Sequence, residues 1–499
     1  MQKFSIQSSL VYRRRYGIAI GMTLALLAGL LYMAWLFVPG GLTYHEKDSV
    51  TTSATILSQL TSLNWVIDAP YHAFQWLVLQ IAGVSLASIK LPSIILGLAT
   101  AFLIFTLLRQ WFRSNVAILT SIIMLATGQF VLIAQSGTPY IMMILWPALL
   151  LVLGCAFIRA KTAAKRYLIG LTLGVALGLS FYTPLMIYFY IAVAISLISH
   201  PAQRLRIRRF PKIYLPLPLL AALIVALPLV LASIKNPSLL LNLAGVSWPL
   251  PSILQNFMTV TMQYFNVVSP TAGRFMAPMF SIGTLALILI GVVQMIRHKH
   301  SLRAHLFMPW LALLTLPILF NTDQASVVFI PLVILAATGL SFIISNWYRL
   351  FPNNPYARLA GLVPLVIFIS ALTFAGVERF MYGYRYDQEV VGQYSKDVPL
   401  LHRELKDHST TTAVLVVPTN ERAFYTQMMA INSERYPSVQ SFRVTSTPPP
   451  NIASGETIIV ANELHTQASN NYSQAQLHSM LVNSRSSDAA RYYLYKNPS

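Results

Sequence analysis

The sequence predicts a polytopic α-helical membrane protein with a small α/β domain outside the membrane at its C-terminus. Three observations carry this. Of 499 residues, 56% are hydrophobic and only 10% charged, and mean hydropathy is +0.60; ordinary soluble proteins carry roughly 25% charged residues. Apolar runs of membrane-crossing length alternate with short basic clusters. Residues 1–377 contain only four acids, Glu46, Asp48, Asp68 and Asp323, whereas the other eleven follow Gly376.

The elements follow in order. About twenty apolar residues cross a hydrocarbon core of about 30 Å at 1.5 Å rise each. The N-terminus, MQKFSIQSSLVYRRRYG, leads into an apolar run over 18–38 with no small-residue cleavage site before Pro39-Gly40-Gly41, which reads as a retained anchor. Eleven spans are expected: 17–38, 91–108, 115–134, 139–158, 167–181, 183–199, 213–233, 276–296, 304–320, 325–346 and 358–377. With the N-terminus inside, the inner segments hold 20 Lys and Arg and no acid, and the outer loops only Lys47, Lys90, Lys235 and Arg274. This positive-inside bias puts all four acids outside. The segment YHAFQWLVLQIAGVSL over 71–86 would invert every later loop if it crossed, so it is expected to be interfacial or re-entrant. Ile56, Leu60 and Leu63 fall at i, i+4, i+7 and predict an amphipathic helix on the membrane surface or over the bundle. The domains are therefore expected at 1–377, with the exterior loop 39–90, and at 378–499. In the second, TTAVLVVPTN, ETIIVANELH and RYYLYK read as strands and ERAFYTQMMAINSERY as a helix.

The net charge of +20 is distributed as topology determinants rather than as a soluble basic face with interleaved aromatics, which argues against nucleic acid. The single cysteine, Cys155, excludes an intramolecular disulfide. No Walker A, GxGxxG, GxSxG or CxxC…CxxC pattern is present, so ATP-driven transport and Rossmann chemistry gain no support.

Carboxylates are costly near lipid, and a cluster on one face marks a candidate site. Glu46 and Asp48, just past the first span, suit a general base, or a divalent metal held with His45 or His72. Asp68-Ala-Pro-Tyr-His72 follows. Asp68 is either a functional acid or the cap of the helix that Pro70 opens, and His72 either functional or an interfacial side chain. A phosphate-bearing lipid needs a cation; Arg274 and Lys90 are the candidates, and both also fit snorkelling side chains. The loop 235–276, with Trp248, Tyr264 and Phe265, reads as a substrate cleft or an aromatic belt.

The order of these features resembles the GT-C membrane glycosyltransferases, in particular the protein mannosyltransferase and aminoarabinose transferase-like branch. The residues carrying the resemblance are the acidic loop after the first span, SIKLPSIILGLATAFLIFTLLRQWF, LATGQFVLIAQSGTPYIMMILWPALLLVL and GLTLGVALGLSFYTPLMIY. It covers residues 10–200 well and is looser to 377. It implies a GT-C-like fold and transfer of a sugar from a polyprenyl-phosphate donor to an extracytoplasmic lipid, glycan or protein. The family's first loop carries an Asp-Glu pair whose Asp is the base; His45-Glu46 stand at those positions here, with Asp48 the nearest Asp. The resemblance implies Glu46 or Asp48 as the catalytic base; the residues read above then make His45, Asp68, His72, Lys90 and Arg274 the expected substrate contacts, with a divalent metal as the cofactor that the loop acids would hold. An inactive glycolipid-binding or envelope-assembly protein is the alternative. A lipid-linked sugar transporter is the lesser one, because the expected spans hold no Asp or Glu. The localisation expected is a bacterial cell membrane, N-terminus cytoplasmic.

Overall fold

The structure is a computed structural model that describes residues 10–38, 40–63, 67–246, 252–265, 280–350, 356, 360–386, 391–407, 412–432, 441–453, 455–472, 476–482 and 490–496. It is a multi-pass helical bundle with a five-stranded sheet built by the C-terminal residues. The first helices are α1 (Leu10–Phe37), α2 (Tyr44–Ala54), α3 (Ile56–Ser62), α4 (Ala69–Ala82), α5 (Leu86–Trp111), α6 (Ser114–Leu125), α7 (Gly128–Gln135), α8 (Met142–Arg159), α9 (Ala163–Ser180), α10 (Met186–Ser199), α11 (Pro201–Arg209) and α12 (Pro216–Lys235). Longer helices follow at Ile282–Arg297, Leu302–Phe320, Phe329–Leu350 and Leu362–Tyr386.

Among the described residues, seven helices are long and apolar enough to cross a membrane, or nine if each bent pair forms one span. This is fewer than the eleven expected. Helix α9 is not among them, and Ile282–Arg297 is shorter than a full span. The expected span 115–134 is two helices, α6 and α7, bent by 68° at Ala126-Thr127. All eight residues of α7 are buried, so the break lies inside protein, where irregular backbone is tolerated at membrane depth. Gly376 makes this crossing possible: a Cβ there would lie 2.6 Å from the Ala126 carbonyl oxygen. Gly376 thus sits within Leu362–Tyr386, and the boundary expected at 377 falls inside a continuous helix.

The loop after α1 is helical. Thr43 and Glu46 form a capping box that starts α2. Helix α4 has 14 residues, about 21 Å at 1.5 Å per residue and too short to span; it packs between α2 and α5. The apolar stripe of the expected surface helix lies against the bundle: Ile56 is fully buried and, with Leu60 and Leu63, joins a cluster containing Tyr182 and Leu229.

The sheet has strands β1 (Thr412–Val416), β2 (Ser441–Thr445), β3 (Glu456–Ala461), β4 (Leu477–Val482) and β5 (Ala490–Lys496), in the order β2-β1-β3-β5-β4. β1 pairs in parallel with β2 and β3, and β5 antiparallel with β3 and β4. The central strands β1 and β3 are buried on both faces, which is why they read as continuous apolar runs. One face shares a cluster with helix Thr419–Asn432 and with Leu42, Val50, Leu79 and Ile89 of the bundle side. Ile452, Ala468 and Tyr472 cover the other.

Candidate functional site

Helix α2 sets the site. Its capping box aims Glu46 inward, and only 1% of that residue is exposed. Oε2 accepts hydrogen bonds from the Thr43 N–H at 2.8 Å and the Thr43 hydroxyl at 3.3 Å. Oε1 accepts one from the Gly137 N–H at 2.7 Å and faces the Lys90 Nζ at 3.5 Å. A carboxylate offers about four acceptor positions, and Glu46 has a partner at each. Lys90, fully buried near the start of α5, also donates to Gln135 Oε1 at 3.2 Å. A buried charge is tolerated only when it is paired and hydrogen-bonded, and this pair meets both conditions.

The segment between α7 and α8 is held in the same way. The Gly137 carbonyl accepts from Gln75 Nε2 at 3.2 Å, and the Gln75 Oε1 accepts from Ser49 and Ser53 at 2.9 and 2.7 Å. A Cβ on Gly137 would come within 2.6 Å of the Ile89 side chain and 2.9 Å of its carbonyl oxygen. Glycine therefore lets the chain approach α5 closely enough for its N–H to reach Glu46.

Beside Glu46 opens a cavity of about 360 Å³, walled by His45, Glu46, Thr138, Tyr140, Asp323 and Tyr394 among others. Asp323 comes from the turn Thr322–Val328, which Asn321 starts by accepting the Asp323 N–H at 3.1 Å. His45 lies within electrostatic reach of Asp323. Asp323, Asp68 and Asp48 all lie within reach of the Tyr140 hydroxyl. The four acids of the bundle thus gather at one end of it, and two of them, Glu46 and Asp323, line this cavity. Burial pushes the Tyr394 hydroxyl well above the usual tyrosine range, with smaller contributions from Tyr384 and Glu46.

The remaining expected residues take different places. Asp48 is exposed and does not line the cavity. Asp68 occupies the N-cap of α4 with φ +51°, and its carbonyl rather than its side chain receives the Tyr71 and His72 N–H groups, at 2.9 and 3.1 Å. The expected side-chain cap is absent because a left-handed backbone turns the carboxyl towards Thr183. Burial pushes that carboxyl up to about 8. His72, on α4, is buried against α2, its Nδ1 2.8 Å from the Ser53 hydroxyl, and burial pulls it down to about 4. Lys90 stands behind Glu46, off the cavity wall. Arg274 and Trp248 lie outside the described residues. Among the described residues no three His, Cys, Asp or Glu side chains converge as metal ligands, so these residues do not form a set that fits the possible divalent metal. Asp323, Tyr140 and Tyr394 were not singled out from the sequence as site residues. Asp323 carried a signal, being the one acid between Asp68 and Glu378.

The other face of α2 meets helix Thr419–Asn432, which covers one face of the sheet. Lys47 Nζ lies 3.2 Å from Asp397 and 2.7 Å from Glu421, and Arg491 binds both oxygens of Asp397 at 3.0 and 3.1 Å. The Tyr425 hydroxyl adds a bond to Asp397 at 3.2 Å. Burial works to raise the Asp397 carboxyl, but Lys47 and Arg491 outweigh it and hold it below its usual value. Leu42 and Ser395 exchange two backbone hydrogen bonds of 2.9 Å beside this cluster.

Comparison with known proteins agrees with this architecture. Residues 69–231 match the family model of dolichyl-phosphate-mannose-protein mannosyltransferase. No curated protein matches the chain by sequence. The structure of ArnT from Cupriavidus metallidurans bound to undecaprenyl phosphate superposes with a TM-score of 0.54 at 12% identity, over 96% of this chain and 99% of that one. The apo state of the same protein gives 0.50 at 11% identity, over 97% and 100%. The Archaeoglobus fulgidus oligosaccharyltransferase in its apo form gives 0.48 at 13% identity, over 89% of this chain and 65% of that one. The chain is similar in fold to the GT-C membrane glycosyltransferases, and over residues 69–231 it matches their mannosyltransferase family in sequence.

Proposed function

We propose that the protein is a membrane glycosyltransferase that moves a sugar from a polyprenyl-phosphate donor to a hydroxyl or amine of an extracytoplasmic lipid, glycan or protein. The observation that supports this reading best is the cavity shared by His45, Glu46, Asp323 and Tyr394 at the junction of α2 with the bundle. The acceptor's attacking atom loses its proton to a base and bonds to the sugar's anomeric carbon. The bond from that carbon to the phosphate oxygen breaks, and polyprenyl phosphate leaves with the electron pair. The engaged lone pairs of Glu46 suit it to holding Lys90 and residue 137 in place. Asp323, with His45 beside it, suits the base, and Arg274 is the cation proposed for the departing phosphate. Asp48 stays a candidate at the rim of the site.

The test follows sugar loss from polyprenyl-phosphate sugars by mass spectrometry, with the protein in lipid and a panel of acceptors. Asp323→Asn is expected to lower turnover by about 10²-fold or more, the usual share of a general base. Asp48→Asn is expected to leave it within about threefold of the native rate if Asp48 is not that base. Full activity of Asp323→Asn would move the base to Glu46 or Asp48, and Glu46→Gln/Asp48→Asn then decides between them and another group. A second reading is favoured by His45 standing at the position of the family Asp: an inactive glycolipid-binding or assembly protein. Lipid binding without turnover of any donor supports it.

A further inference from the structure

A second and larger cavity, of about 1070 Å³, opens at the other end of α8. Tyr140 borders the cavity beside Glu46, while Gly154, Cys155 and Arg159 border this one. Nineteen residues of rise separate the two ends, about 28 Å along a helix. The volume lies at the top of the range for small-molecule sites, roughly 300–1,000 Å³.

Its chemistry is divided. The deep part is apolar, with Leu150, Leu173, Leu177 and Phe189. The mouth carries Arg159, Arg206, Arg303 and His298, and among the described residues no acid lines any part of it. Helix α11 turns by 90° from α10 and carries Arg206 to the mouth; none of its residues is buried. Arg159 and Arg303 each spend one guanidinium donor on a main-chain carbonyl, that of Gln110 at 3.4 Å and that of Trp111 at 3.0 Å. An arginine has five donors, so most remain for a ligand. Between the mouth and the apolar part stand Ser196 and Gln294, 3% and 7% exposed. Among the described residues neither side chain has a hydrogen-bond partner, and both line the cavity.

We propose that this cavity is a binding site for one anionic glycerophospholipid. The arginines take the phosphate, a match of planar donors to anionic oxygens. Ser196 and Gln294 donate to the ester carbonyls of the glycerol backbone, and an acyl chain fills the apolar part. A polyprenyl phosphate satisfies the arginines but has no acceptor below its phosphate for the two buried polar side chains, which cost free energy when left unpaired. The site is separate from the proposed transfer chemistry and does not depend on it.

The chain's only cysteine, Cys155, lines this cavity and supplies the readout. Purified full-length protein, delipidated in detergent, is alkylated with a maleimide in the presence of phosphatidylglycerol, phosphatidylcholine or a polyprenyl phosphate at equal mole fraction. Phosphatidylglycerol is expected to slow modification about tenfold when present at about ten times its dissociation constant. Arg159→Gln/Arg206→Gln is expected to abolish that protection while keeping the lipid-free rate, which shows that the variant is folded. If the lipid-free rate changes, Arg206→Gln alone at the exposed helix α11 repeats the comparison. Equal protection by phosphatidylcholine, protection by the polyprenyl phosphate alone, protection that survives in the variants, or no protection at all would each overturn the proposal.

Discussion

Glu46 and Lys90 are buried together, so each is the condition for the other's charge. Removing one partner of such a pair costs about 3–5 kcal/mol, because the other is left charged and unpaired, whereas an apolar replacement of both is close to neutral. Lys90→Met is therefore expected to lower the thermal unfolding midpoint in lipid strongly, and Glu46→Gln/Lys90→Met to recover most of the loss. A double variant no better than the single would show that the two charges are not coupled. Asp68 gives a pH signature. Its carboxyl titrates near 8 in the fold against an ordinary 3.8. The folded state binds the extra proton between those values, so the contribution of Asp68 to stability is greatest below 3.8 and declines as pH rises to about 8. Asp68→Asn is expected to flatten that decline, as read from unfolding midpoints between pH 5 and pH 8; an unchanged slope would mean that the carboxyl is ionised in the fold.

Helix α2 shows what was legible in the sequence and what was not. Thr43-Tyr-His-Glu46 is the Ser/Thr-x-x-Glu spacing of a capping box, so the structural duty of Glu46 could be read locally, alongside any catalytic one. The clustering of acids was also legible from composition. The partners of Glu46 were not: Lys90 and Gly137 are 44 and 91 positions away, and only packing brings them together. The same holds for the bend between α6 and α7, where a continuous apolar run hides a break supported by Gly376 of a distant helix. Strands β2 and β4 escaped because neither SFRVT nor LHSMLV carries the long apolar run that marks the buried β1 and β3. Gly137→Ala tests the close approach between elements. Its Cβ would meet the Ile89 main chain, and backbone cannot yield as a side-chain end does. The N–H bond to Glu46 is expected to lengthen and the protein to lose about 1–3 kcal/mol, the usual cost of overpacking. Ile89→Ala removes the 2.6 Å side-chain contact but leaves the 2.9 Å clash with the carbonyl oxygen, so it is expected to relieve the loss only in part; full rescue by that second change would refute the main-chain argument.

At the scale of the molecule, α2 joins the bundle to the C-terminal sheet. Glu46 points to α5 and Lys47 to Asp397 and Glu421, so adjacent residues of one helix tie both sides. A displacement of the sheet is therefore expected to reach the wall of the cavity through Lys47 and through Tyr394, which lies just before Ser395 in the paired segment. The joint has a definite pH dependence. Asp397 is held below its ordinary 3.8 by Lys47 and Arg491 against the effect of burial. A carboxyl lowered in this way contributes stability above its unfolded value, and that contribution disappears as pH falls through the lower, folded one. Between pH 8 and pH 5 the sheet is therefore expected to stay docked, and the ionic part of the docking to be lost only as pH falls below 3.8 through the lower, folded value of Asp397. Lys47→Met shifts the balance without acid. It leaves Asp397 with Arg491 as its one cation and Glu421 without its closest one, so cleavage of the segment 391–407 by a protease at pH 7 is expected to accelerate several-fold as the joint opens. Sugar turnover, where present, is expected to fall with it, since Glu46 and Lys47 move as one helix. Unchanged cleavage in Lys47→Met would assign the docking to the apolar cluster around Leu42, Val50 and Leu79 instead, and the cavity would then be insensitive to the charges on the sheet.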